Sequence, residues 1–193
     1  MSDLLESRDV NVRGLSELAK FLDELPDRLQ QNVLRGSLRA GAQVVRAEVK
    51  RTAPVAPPSA QAAGKYGLYP GALRDSVRVS TFTKGGVVTA SVKVGGKIKG
   101  GADVYYASWV EHGTRAHAIT AKGASPAKVL KIGGGFAIQV NHPGARPRPF
   151  MRPALDTRAG AAVVAAGEYM KTRLATKHGL LTEDVEISEV LPP

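Results

Sequence analysis

The first quarter of the chain is dominated by apolar residues at helical spacing. The helix predicted over 14–25 carries leucines at i, i+3, i+7 and i+10, namely Leu15, Leu18, Leu22 and Leu25. Pro26 then begins a second, longer predicted helix that runs to about Thr52, since proline fits the start of a helix. Residues 1–12 show no clear period and are expected to form an arm.

The longer helix carries two apolar stripes. One consists of Leu34, Leu38, Val45 and Val49, and the other of Leu29, Val33, Ala40, Val44 and Ala47. At about 100° per residue the two stripes lie roughly 140° apart. A helix that is apolar over so wide an arc should be buried from two directions. We expect one cover to be a sheet of the same fold, and the other to be another helix or another subunit.

A narrow basic strip remains on this helix, here called the basic ridge. It consists of Arg28, Arg35, Arg39, Arg46 and Lys50. The five positions fall within roughly 60° of one another around the helix axis. Two interpretations stay open at this point: an ordinary solvated face, or a surface that faces DNA or an acidic partner.

A proline-rich loop and then a hairpin follow. Residues 53–70 contain four prolines and show no period, so they predict an extended loop that packs on a neighbour rather than binding phosphate. Residues 77–83 alternate as a strand, 84–86 read Lys-Gly-Gly as a turn, and 87–94 form the partner strand. Next, 95–101 is a flexible basic loop with Lys97 and Lys99. It lacks the Gly-Lys-Ser/Thr ending of a phosphate-binding loop.

Aromatic residues and further short strands occupy the next part of the chain. Tyr105, Tyr106, Trp109 and Val110 fit one helical turn or a short strand packed on the core. Strands are predicted over 117–122, 129–132 and 136–140.

A rigid, proline-rich approach leads into the last predicted helix. Three prolines within 145–156 exclude an interior strand, and the helix is expected to begin near Pro153, with Phe150 and Met151 pinning its start. It runs to His178, with Gly179 ready to end it. Its apolar face is rich in small residues, which predicts close approach to a sheet; it comprises Leu155, Ala159, Ala162, Val163, Ala166, Met170 and Leu174.

Charge is unevenly distributed along the 193 residues. The net charge is +10, but the last eleven residues hold four acids and no Lys or Arg, so residues 1–182 have 27 positive against 13 negative side chains, or +14. So basic a body attracts polyanions, nucleic acid above all, or an acidic protein surface, although plain solubility is an equal alternative. The tail from Glu183 alternates acid and aliphatic residues and is expected to add an edge strand to this sheet or to a neighbour's.

No constellation of residues argues for an enzyme. The four histidines, His112, His117, His142 and His178, lack helical metal spacing. Glu111 and His112 form a candidate acid–base pair, but a hydrogen-bonded, partly buried loop histidine is the favoured interpretation. Cysteine is absent, so no disulfide or thiolate site exists. We predict no catalytic residues, no cofactor and no metal, in a soluble chain without a signal segment or membrane span.

Five motifs in order are similar to one protein family. They are Gly14-Leu-Ser-Glu-Leu18, Arg51-Thr-Ala-Pro54, Gly71-Ala-Leu-Arg-Asp-Ser76, Tyr106-Ala-Ser-Trp-Val-Glu-His-Gly-Thr114 and Pro149-Phe-Met-Arg-Pro-Ala-Leu155. With them the chain resembles the tailed-bacteriophage (siphophage-type) neck family of head–tail joining, or tail-completion, proteins. The resemblance covers about residues 15–174. Pro70 and His112 depart from the family's usual threonine and phenylalanine.

This resemblance implies a fold and a function. The fold is α+β, with an antiparallel sheet packed against a long N-terminal helix and a C-terminal helix, a long Pro-rich loop and terminal arms. Residues 1–182 would form a single domain and 183–193 an acidic arm. The implied function is a homo-oligomeric ring, sixfold or twelvefold, in the neck of a virion assembled in the host cytoplasm. Its implied neighbours are connector or head-completion proteins and a tail terminator or tail tube protein.

DNA would pass through this ring without being read for sequence. The basic ridge and the Lys97/Lys99 loop are the predicted contacts with the DNA channel or with an acidic partner. A free nucleic-acid-binding protein that uses the ridge is the alternative function.

Overall fold

A computed structural model describes residues 10–57, 68–121, 129–132, 134–179, 182 and 184–190, the side chains of 131 and 132 excepted. The predicted 53–70 loop rests mostly on 58–67 and so lies largely outside the described residues. The chain divides into two compact units, one of residues 1–104 with 150–193 and the other Tyr105–Pro149. One domain over 1–182 followed by an acidic arm stays a prediction.

The helices lie close to their predicted bounds. They are α1 (Leu15–Asp23), α2 (Asp27–Thr52), α3 (Ala72–Asp75), α4 (Ala107–His112) and α5 (Met151–His178). Pro26 stands immediately before α2, and α2 stops before Pro54, because a residue that precedes proline disfavours helical backbone. Gly179, at a φ of 67°, ends α5 in the left-handed conformation expected of a C-terminal glycine.

The strands are short and antiparallel. Five lie in the first half of the chain: β1 (Asn11–Arg13), β2 (Arg78–Lys84), β3 (Val87–Lys93), β4 (Gly96–Lys97) and β5 (Asp103–Val104). Five follow: β6 (His117–Thr120), β7 (Leu130–Ile132), β8 (Gly135–Ala137), β9 (Gln139–His142) and β10 (Ser188–Val190). In the described part of the chain they pair as five two-stranded sheets, β1–β10, β2–β3, β4–β5, β6–β9 and β7–β8.

The α+β prediction is therefore confirmed, with several small sheets in place of one. The hairpin β2–β3 pairs from Arg78 with Lys93 to Lys84 with Val87, around the predicted Lys-Gly-Gly turn. The strand predicted over 136–140 is divided at Ile138 between β8 and β9.

The long helix α2 is covered on two sides, as its stripes predict. The most extensive contact is with α5, and the β2–β3 hairpin supplies the second. Val33, Val45 and Val49 are buried, while Leu29 remains 40 % exposed. Because α5 belongs to the same chain, the open alternative of another subunit is not needed to cover α2.

Small residues make the α2–α5 contact close. A Cβ added at Gly41 of α2 would lie 2.5 Å from the carbonyl oxygen of Ala162 in α5. The prediction that small residues on α5 permit close approach is right, but the partner is a helix rather than a sheet. Leu155, assigned to the apolar face, is 52 % exposed.

The core of the first unit joins α1, α2, α5 and the C-terminal tail. Its buried members are Leu18, Leu22, Val33, Leu174, Val185 and Ile187. Residues 11–13, predicted as part of an arm, instead form β1 and pair with Ser188–Val190 of the tail. The expected tail strand is thus added to β1 of its own chain. Gly14 has a φ of 83° and lies against the Glu186 backbone, so a side chain at this position would clash.

The second unit, Tyr105–Pro149, consists of α4 and a two-stranded ribbon. The β6–β9 ladder pairs His117 with His142 and Thr120 with Gln139, and the β7–β8 ladder follows it. A bridge between Thr114 and Ala145 extends the pairing at the other end. Short segments with alternating residues, such as those of this unit, are expected to pair as antiparallel strands.

Candidate interaction surfaces

The basic ridge lies along one face of α2, next to the β2–β3 hairpin. Arg28 and Arg39 are exposed, whereas Arg46 and Lys50 are half-buried. Arg35 is exposed but donates a hydrogen bond to the hairpin. The five predicted site residues therefore share a face, as their spacing predicts, but they are not equally available for a partner.

Two ridge arginines hold the hairpin against α2. The Arg35 guanidinium donates to Thr83 Oγ1 at 2.9 Å. Arg46 Nε donates to the Val77 carbonyl at 3.2 Å. A charged donor strengthens such hydrogen bonds, so part of the ridge has a structural use that the sequence did not indicate.

The Lys97/Lys99 segment is a paired turn rather than a flexible loop. Gly96–Lys97 pairs with Asp103–Val104. The turn is anchored by Arg78, whose Nη1 donates to the Gly95 carbonyl at 2.5 Å, and by a hydrogen bond from the Gly95 N–H to Ser76 Oγ at 2.9 Å. Both lysines are exposed. Lys97 lies on β4, and Lys99 lies in the turn that follows it.

An aromatic group lies at the surface around α4. Trp109 and Val110 lie in α4, so the predicted helical turn is confirmed. Tyr105 is 47 % and Trp109 53 % exposed, so the predicted packing of these two on the core is wrong. The Tyr105 ring lies edge-on to Trp109, with centroids 5.4 Å apart, and to Tyr106 at 5.8 Å. Such contacts stabilise by about 0.5–1.5 kcal/mol each beyond burial. Tyr106 is half-buried, and its desolvation raises the pKa of the phenol.

The histidine of the candidate acid–base pair contacts the backbone of its own helix. His112 is the last residue of α4 and is exposed, so it is not the partly buried loop residue predicted. Its Nδ1 lies 3.1 Å from the Ser108 carbonyl, one helical turn earlier. Among the described residues, no group of three or more His, Asp or Glu is placed to hold a metal ion.

Two other histidines meet across the ribbon. His117 and His142 are paired residues of β6 and β9, with ring centroids 5.1 Å apart. The Gly144 N–H donates to His142 Nδ1 at 3.0 Å, which fixes the ring. Their sequence positions gave no sign of this pairing, because they are 25 residues apart.

An ionic cluster that was not predicted from sequence lies between the two long helices. The Glu48 side chain on α2 is 8 % exposed and accepts hydrogen bonds from Arg51 at 2.5 and 3.2 Å. Arg158 of α5 donates from 3.3 Å. The hydrogen bonds and charge of Arg51, helped by Arg158, outweigh burial and hold the pKa of Glu48 below its usual 4.5. The sequence feature that could have indicated this cluster is the position of Glu48, an acidic residue among apolar residues near the end of α2.

An acidic cleft also escaped prediction. It has a volume of about 560 Å³ and lies between α1 and the C-terminal tail. Four carboxylates, Glu17, Glu24, Asp184 and Glu186, line it with two cations, Arg13 and Lys20. Phe21 and Val185 supply apolar surface within it. Its own backbone amide and the Ser16 hydroxyl lower the pKa of Glu17, so this carboxylate is ionised at neutral pH.

The ribbon of the second unit exposes large apolar side chains. Phe136 and Ile138 are each 73 % exposed, and Ile119 and Val129 each 39 %. The sequence of this unit, 105–149, has six Lys or Arg residues and one carboxylate, Glu111. The ribbon is therefore both apolar and embedded in a basic segment.

None of the helices in the described ranges combines the length and apolar character that crossing a membrane requires.

Comparison with known protein families gives a match for part of the chain. Residues 16–113 match the family model HK97-gp10-like, described as a bacteriophage HK97-gp10 tail-component. The matched range begins inside the first of the five sequence motifs and ends one residue short of the fourth motif's end. The fifth motif, 149–155, lies outside it. No curated protein and no solved structure gives a significant match.

Proposed function

Because the chain belongs to the HK97-gp10-like family of bacteriophage tail components, we propose that it is a ring-forming structural protein of the phage neck. The family match carries this proposal, since it covers just over half of the chain, from α1 through α4. The resemblance predicted from sequence is confirmed at the level of a phage tail component. The ring, its sixfold or twelvefold symmetry and its position at the head–tail junction are the proposed part.

In this role the protein works by shape and carries out no reaction. One face of the ring would meet connector or head-completion proteins, and the other a tail terminator or tail tube protein. Such a component is assembled in the host cytoplasm and retained in the virion. It requires no cofactor.

The charge of the chain supports passage of DNA through the ring. A net charge of +10 favours contact with phosphates of any sequence. Arg28, Arg39 and the Lys97/Lys99 turn are the exposed cations proposed to face the channel. Arg35, Arg46 and Lys50 would add positive potential there even where their side chains are engaged or half-buried.

The second candidate is a free nucleic-acid-binding protein. The observation that favours it is the ridge itself, five cations within roughly 60° of one helix face. Such a protein would be monomeric and would bind duplex DNA with a steep salt dependence. The family match makes it the lesser proposal.

Electron cryomicroscopy of the assembled particle tests the proposal directly. We expect density for this chain as a closed ring between the head and the tail tube. Sedimentation of the purified protein should show a cyclic oligomer. A monomer at all concentrations, absent from purified virions, would refute the neck function, and tight salt-sensitive DNA binding by that monomer would support the second candidate.

A further inference from the structure

The ribbon is poorly covered for its composition. A two-stranded hairpin is marginal in water unless another element covers one face. Here the β6–β9 and β7–β8 ladders leave Phe136 and Ile138 73 % exposed. Exposed apolar groups rimmed by polar ones mark contact surfaces, so the ribbon has the character of an interface.

The charge of the ribbon's unit indicates what its partner must carry. Residues 105–149 carry six positive side chains against one negative. Arg115 and Arg146 are exposed and lie together beyond the His117–His142 end of the β6–β9 ladder, next to the Thr114–Ala145 bridge. A partner surface must therefore combine apolar area with negative charge.

The acidic cleft on the first unit has both properties. Its four carboxylates outnumber its two cations on a chain whose net charge is +10. Its apolar lining residues are Phe21, which is half-buried, and Val185, which is 9 % exposed. Its volume of about 560 Å³ falls within the range of clefts that hold ligands or side chains.

We propose that the apolar, basic ribbon of one copy docks in the acidic cleft of the next copy. The two surfaces differ, so each copy offers one of each, and the contact is head-to-tail. Contacts of this type generate closed rings when their rotation closes. This inference rests on the ring proposed above and assigns the surfaces that would hold it together.

Variants on exposed side chains test the contact without unfolding the protein. In Phe136→Ser/Ile138→Ser, we expect the concentration for half-assembly, measured by sedimentation velocity, to rise at least about tenfold, as for loss of an interface hot spot. Val87→Ser is the control, because Val87 is 66 % exposed on a different hairpin, and it should assemble as the original chain does. Circular dichroism should show that all variants fold.

Charge exchange tests the pairing itself. We expect Arg115→Glu/Arg146→Glu and, separately, Glu24→Lys/Glu186→Lys to weaken assembly, and the four changes combined in one chain to restore it. A mixture of the two defective double variants should also assemble, because in alternating chains the original ribbon meets the original cleft and the reversed ribbon meets the reversed cleft.

The outcomes separate this inference from the proposed function. A ring that forms normally in all these variants overturns the docking contact and leaves the neck function standing. Assembly unchanged in Phe136→Ser/Ile138→Ser, with duplex DNA binding lost in Arg115→Glu/Arg146→Glu, also overturns it and assigns the ribbon to DNA. An original chain that never assembles and is absent from virions refutes the neck function.

Discussion

The contact between α2 and α5 at Gly41 gives the sharpest test of the fold. An alanine Cβ at this position would lie 2.5 Å from the Ala162 carbonyl oxygen and 3.3 Å from the Ala166 Cβ. Real Cβ contacts essentially never fall below 3.0 Å, so the two helix backbones must separate by 0.5 Å or more. Because the obstacle is backbone inside a helix, no side-chain rotation relieves it.

Two opposing effects set the size of the change in Gly41→Ala. Overpacking a close contact costs about 1–3 kcal/mol, and opening the most extensive helix contact of the molecule places this site toward the upper part of that range. Replacing glycine by alanine within a helix returns about 1 kcal/mol. We therefore expect a net destabilisation of about 1–2 kcal/mol, or a fall in Tm of roughly 2–8 °C for a chain of this size.

Gly36→Ala is the matched control on the same helix. Its Cβ would meet the outer edge of the Tyr169 ring, at Cε1, Cζ and the hydroxyl; these are atoms of a side chain that is 39 % exposed, so a side-chain rotation can relieve the contact. The helical gain then dominates, and we expect a change between zero and about 1 kcal/mol of added stability. Thermal and urea denaturation of both variants measure the difference. If Gly41→Ala proves as stable as Gly36→Ala, the close packing of α2 on α5 is wrong.

Three further predictions concern the core, the tail and the ionic cluster. Phe150→Ala should lower the free energy of unfolding, measured by urea denaturation, by about 3–5 kcal/mol, because Phe150 is 2 % exposed. Phe82 is 46 % exposed, so Phe82→Ala should lower it clearly less. Equal losses in the two variants would contradict the packing of Phe150. Ile187→Ala should lower the free energy of unfolding by about 2–5 kcal/mol, and Glu186→Ala by no more than about 0.5 kcal/mol, because of these two only Ile187 is buried in the core. An Ile187→Ala variant as stable as the original chain would contradict the docking of the tail on the core. The folded pKa of Glu48 is lowered, so its stabilisation is present above pH 4.5 and is lost as pH falls through the folded value. Tm measured from pH 7 to 3 should therefore fall less in Glu48→Gln than in the original chain, and parallel curves would refute the cluster.

The helix bounds could be predicted because their determinants are local. Pro26 and Pro54 frame α2, and Gly179 ends α5, each through backbone geometry that depends on the residue itself. The hairpin at 84–86 is local in the same sense. These features need no knowledge of what packs where.

The features that were missed depend on residues far apart in sequence. Strand β1 has three residues and exists through its pairing with β10, about 175 positions later. The Glu48–Arg51 contact spans one helical turn and was visible, but Arg158 is 110 residues away. Small residues on α5 correctly indicated close approach, yet they fit a helix as well as a sheet, so the partner could not be chosen.

The coverage of α2 changes where self-association should be sought. The sequence left one stripe of this helix open to another subunit, but α5 and the β2–β3 hairpin of the same chain cover both sides. Leu29 is 40 % exposed at the start of the helix. The surface of one partly exposed side chain is far smaller than the roughly 800 Å² that each partner contributes to a stable interface. Substitutions of the buried residues of α2 should therefore report on folding, whereas substitutions in the ribbon and the acidic cleft should report on assembly. If an α2 variant with unchanged stability blocks assembly, this division of roles fails.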